Sequence, residues 1–139
     1  MTDPLPFDGV LVAGAVVAGV AAAIHAAIFV LESVLWMRPA VRRMFGVRSD
    51  EAAAAIRPMA FNQGFYNLFL ALGVATGLVM LAMPDLADAG LAITVFAALS
   101  MALAALVLVV SQPRLWRAAA IQGASPLLAL ALFGLAALG

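Results

Sequence analysis

Cysteine and lysine are both absent, and charge of either sign is scarce. Without cysteine there is no disulfide, no thiol nucleophile, no iron–sulfur cluster and no thiolate-ligated metal. All seven basic residues are Arg, and seven acidic residues balance them to a net charge of zero, so the chain lacks the basic footprint that nucleic acid requires. A single His and no Cys do not make a convergent metal-ligand set, and no cofactor is expected. Only 10% of the residues are charged, whereas 67% are hydrophobic, with a mean hydropathy of +1.17. A water-soluble domain of 139 residues needs far more charge to cover its surface. The chain is therefore read as an integral membrane protein, and the expected location is the bacterial inner (cytoplasmic) membrane.

Four apolar runs are present, at residues 9–37, 58–83, 89–110 and 117–139. Each is long enough to cross about 30 Å of hydrocarbon at 1.5 Å per residue, with tilt where there is excess length. Short loops join them, so the expected fold is a single all-α domain, an antiparallel bundle of four transmembrane helices. Residues 1–8 are acidic and lack the basic flank of a secretory signal, so the first run is read as a retained span. Every Arg falls in or beside the first and third loops, whereas the N-terminus and the second loop carry only Asp. The positive-inside rule then places both termini outside. Trp36 and Trp116 sit at span ends, where an amphipathic ring suits the interface. Met44-Phe45 beside Arg42-Arg43 suggests a segment lying on the membrane surface, and Ser49 or Asp50 suits the N-cap of the next helix. Pro58 falls inside a helix that starts there and predicts a kink.

Against this background, Phe61-Asn62-Gln63-Gly64-Phe65-Tyr66-Asn67 stands out, with three amides and a phenol crowded into a membrane span. An amide or hydroxyl placed in hydrocarbon without a partner costs roughly 2–7 kcal/mol. The candidate partners are His25 and Glu32, the ionisable side chains inside the spans. Counting from the basic loops, Glu32 lies about 8 Å deep, His25 about 18 Å, Asn62 about 6 Å and Asn67 about 14 Å. Gln122 and Ser125 of the fourth span fall at about 8 and 12 Å. Three spans thus bring polar groups to overlapping depths, and a cavity open to the cytoplasm is expected, with the third span as its apolar wall. His25 and Glu32 form an i, i+7 pair on one helix face, but about 10 Å apart along the axis, so a bridging group is needed between them. Asn62 and Tyr66 form one i, i+4 pair, Gln63 and Asn67 another. Gly64 permits a close helix approach, and Gly73 to Gly77 forms a GxxxG step. Amides also serve as interhelical glue, and Glu32 could pair with Arg38 or Arg57 by snorkelling.

The pattern His25…Phe29…Glu32…Trp36, followed by Asn62-Gln63-Gly64-x-Tyr66-Asn67, resembles a widespread bacterial family of small four-span membrane proteins of unknown function. The resemblance covers most of the chain. Gln122-Gly123, shortly before a proline, fits it more loosely. It implies the fold and the site residues and carries no reaction.

Three readings of function stay open. The first is a carrier or binder of a small or amphipathic molecule, with Glu32 and His25 coupling protons and Asn62, Gln63, Tyr66, Asn67, Trp36 and Gln122 lining the site. Four spans make a thin pathway, so transport implies a homo-oligomer. The second is a membrane-embedded enzyme, isomerase-like, in which Glu32 and His25 exchange protons with a lipid-soluble substrate. The third is a non-catalytic scaffold whose amides lock helices and whose partner is membrane lipid.

Overall fold

The structure is a computed structural model and describes residues 9–138; the acidic N-terminal segment and Gly139, with the orientation expected of that segment, lie outside the described residues. Four long helices form the bundle: α1 (Gly9–Phe29), α3 (Asp50–Leu81), α4 (Ala87–Ser111) and α5 (Trp116–Ala136). A short helix, α2 (Pro39–Met44), lies in the first loop, and one-turn 3₁₀ segments, Pro84–Leu86 and Pro113–Leu115, make the other two turns. There is no strand among the described residues. Each long helix is sufficiently long and apolar to cross a membrane.

Neighbours around the ring are α1–α3–α4–α5 and back to α1, while the diagonal pairs scarcely meet. This is the up-and-down topology that short loops impose. The core is built of small residues with a few large ones between them: Leu11, Ala18, Ala21, Val74, Ala97, Met101, Ala129 and Phe133. In hydrocarbon the helices gain nothing by hiding apolar surface from lipid, so their association depends on close van der Waals contact. Small side chains at the crossings supply it. Gly77 and Gly90 bring α3 and α4 so close that a Cβ on Gly90 would lie 2.6 Å from the Gly77 carbonyl. Thr94, wholly buried at the same crossing, donates its hydroxyl to Gly90 O at 2.8 Å.

At the opposite end, Ser49 caps α3 by accepting the Ala52 amide at 3.1 Å. Asp50, on the first turn of α3, pairs with Arg42 of α2. That ion pair fastens the surface helix back onto the bundle. Arg42 is buried, and its Nε and Nη1 have no hydrogen-bond partner among the described residues. Pro58 lies inside α3, as its position predicts, and leaves the Ala54 carbonyl without its helical donor.

Candidate functional site

Gly64 determines how the polar stretch is disposed. It is buried against the first span, where an added Cβ would fall on the Ser33 hydroxyl and lie 3.1 Å from Phe29 O and Ser33 N. Ser33 uses that proximity to donate to Phe61 O across the interface at 2.8 Å. Successive residues of an α-helix turn by about 100°, so Gln63 and Asn67 fall on one flank of this contact and Phe61 and Phe65 on the other. The second flank is an aromatic stack: Phe29 meets Phe65 edge-on at 5.1 Å, and Phe65 lies between Phe61 and Phe69. The first flank faces a cavity.

Glu32 reaches the same cavity from a π-helical turn, Val30–Val34, that ends the first span. The turn is closed by an i→i−5 bond from Leu35 N to Val30 O at 2.9 Å. A π turn is underwound relative to an α-helix, and such turns recur at functional sites. Here it carries the carboxylate towards α3, where Asn67 donates its amide to Glu32 Oε2 at 3.0 Å. Asn67 also donates to Gln63 O at 3.1 Å, which fixes the amide's orientation. The other carboxylate oxygen, Oε1, takes no hydrogen bond among the described residues.

The cavity has a volume of about 540 Å³ and lies at the end of the bundle that carries α2. Its polar lining comes from Glu32, Gln63, Tyr66, Asn67 and Gln122, with Ser111 at the end of α4. The rest is aliphatic or aromatic, including Ile28, Leu70, Leu108 and Ile121, and no basic side chain lines it. Met44 and Phe45 also contribute to its wall. Phe45 is held there by Trp36 at 5.6 Å. Within α4 the hydroxyls of Thr94, Ser100 and Ser111 all donate to carbonyls of their own helix, so this span offers the cavity almost no free polarity. On α5, Pro126 lacks the amide that would bond the Gln122 carbonyl in a regular helix. Ser125 Oγ is buried in the same helix and has no hydrogen-bond partner among the described residues.

Three of the expected lining residues are elsewhere. His25 is only 1% exposed and lies outside the lining; its Nδ1 is 2.9 Å from Ala21 O, and since a carbonyl only accepts, Nδ1 carries the proton. The π turn that begins after Phe29 breaks the α-helical register that would have put His25 and Glu32 on one face. Asn62 is exposed and outside the lining: it lies about 160° round from Gly64 on the side of Phe61 and Phe65, whereas Tyr66 lies as far round on the side of Gln63. Trp36 is buried rather than interfacial, and its Nε1 donates to Ala53 O at 2.9 Å. Neither Arg38 nor Arg57 pairs with Glu32; the ion pair among the described residues is Arg42–Asp50. No group of three or more metal-binding side chains occurs among the described residues. Ser33 and Phe45 are site-shaping residues that helical patterning alone does not single out. Gly64, which the sequence offers only as a point of close helix approach, lies on the contact face, and Ala60 and Ala71 are buried on the same side of α3.

A model of the family described as "Protein of unknown function (DUF1304)" matches residues 19–133. No curated protein and no solved structure gives a significant match.

Proposed function

The chain belongs to this family of unknown function, and we propose that it binds or carries a small amphipathic molecule in the cavity between its four spans. The supporting observation is the lining: Glu32 and Asn67 in direct hydrogen bond, with Gln63, Tyr66 and Gln122, set into an otherwise apolar wall. A volume of about 540 Å³ falls within the range of roughly 300–1,000 Å³ typical of small-molecule sites. Three helices each spend polar groups there, at a depth where hydrocarbon penalises them. An acid–base enzyme that pairs Glu32 with His25 has no such support, since His25 lies outside the lining and its Nδ1 is taken by Ala21. The reading includes the inner membrane of a bacterium, with the cavity opening to the cytoplasm and both termini outside.

Monodecanoylglycerol, a neutral single-chain amphiphile, tests this by calorimetry on protein held in digitonin, a detergent without an alkyl chain. Saturable binding is expected in the native protein and in His25→Leu. In Ala118→Phe, which fills the cavity wall, it should weaken by about tenfold or more. Absence of saturable binding, or binding indifferent to Ala118→Phe, contradicts the reading.

A further inference from the structure

Resting on that reading, we propose that the preferred ligand is a cationic single-chain amphiphile, an alkylammonium whose head meets Glu32 and the rings of Phe45 and Tyr66. Glu32 is the carboxylate of the lining. No Arg, Lys or His shares the cavity with it, and no ion pair involves it among the described residues. Its Oε2 is occupied by Asn67, whereas Oε1 takes no hydrogen bond among the described residues. A carboxyl group in a largely apolar cavity is either protonated or paired with a cation, and no cation of the protein pairs with Glu32 among the described residues. Among the described residues no arginine of the nearby loop pairs with Glu32, and Arg42 is buried and engaged by Asp50.

The remaining lining fits the same ligand. Phe45 and Tyr66 line the cavity, and a cation with a delocalised or alkylated head is attracted to aromatic rings. Gln63 and Gln122 add amide oxygens, the negative ends of side-chain dipoles, which favour a cationic head over an anionic one. An anionic head would meet Glu32 with no cation to offset it. A single chain suits the volume, because the cavity is of small-molecule size rather than the size of a two-chain lipid. Tyr66 is 61% exposed, so the cavity is flanked by surface that faces lipid, from which an amphiphile can enter chain-first.

Calorimetry in digitonin with three probes decides the matter: decyltrimethylammonium, its neutral isostere with a carbon in place of the nitrogen, and decyl sulfate. The cation should bind about tenfold more tightly than the isostere, and the sulfate not measurably. Glu32→Gln should bring cation and isostere to within about twofold of each other. Equal binding of cation and isostere to the native protein overturns the charge preference while leaving the cavity reading intact. Binding of neither defeats both. If Glu32→Gln does not fold, the native ratio decides alone, with Ala118→Phe expected to weaken both probes. A two-chain lipid with the same trimethylammonium head should not displace the bound cation; displacement would overturn the single-chain assignment in favour of a membrane lipid.

Discussion

Replacing Gly64 by leucine should push α1 away from α3, because the first added carbon already falls on Ser33 and close to the Phe29 carbonyl. Backbone cannot yield as a flexible side chain does, so a loss of about 1–3 kcal/mol is expected in an unfolding titration followed by helix content. An unchanged midpoint would mean that the two helices do not cross here. Asn67→Leu acts differently. It removes the donor to Glu32 Oε2 and strands a carboxylate oxygen, at a cost of about 1–3 kcal/mol. Trp36→Phe keeps the stack on Phe45 but loses the bond to Ala53 O, so about 1 kcal/mol is expected. These residues mark where sequence reading reached and where it stopped. The depth of each polar group follows from rise per residue, and so Gln63, Tyr66, Asn67, Gln122 and Glu32 were assembled at one level. Rotation is harder, since Asn62 and Tyr66 share a helical stripe yet only Tyr66 borders the cavity. The deciding fact was that Gly64 faces the first span, which sets the phase of every neighbour.

Among the helices, the largest departure from simple patterning is the π turn at Val30–Val34. No residue type announces it, because Val-Leu-Glu-Ser-Val reads equally well as α-helix. Its effect is to uncouple Glu32 from His25, which separates a cavity residue from a buried histidine that donates to its own helix. The surface helix α2 was legible from its arginines, but not its inward turn, which depends on Trp36 holding Phe45 and on Asp50 holding Arg42. At the opposite end, the α3–α4 crossing depends on Gly77 and Gly90. Gly90→Ala would set a Cβ against backbone atoms of Leu81 and Gly77, and a loss of about 1–3 kcal/mol should appear in the same unfolding titration. Thr94→Val, at the same crossing, removes a hydroxyl already satisfied within its helix and should cost less than Gly90→Ala. The reverse order would place the stability of this crossing in the hydroxyl rather than in close backbone contact.

For the molecule as a whole, the four-span bundle follows from length and hydropathy alone, since each helix carries its own apolar signal and short loops leave few alternatives. Its orientation is a separate proposal, carried by the arginines of the first and third loops. In intact cells, a cysteine at Asp85 should react with an impermeant maleimide, and one at Arg48 only after the membrane is opened. The opposite pattern would invert the protein and turn the cavity outward. On the proposed reading, the cavity lined by Glu32 and Asn67 is a compartment for a molecule that partitions between lipid and protein. Native mass spectrometry of the protein ejected directly from its own membrane vesicles tests that claim most directly. The account predicts a single small adduct on the native chain, absent from Ala118→Phe. A bare native chain, or an adduct that persists when the cavity is filled, would contradict it.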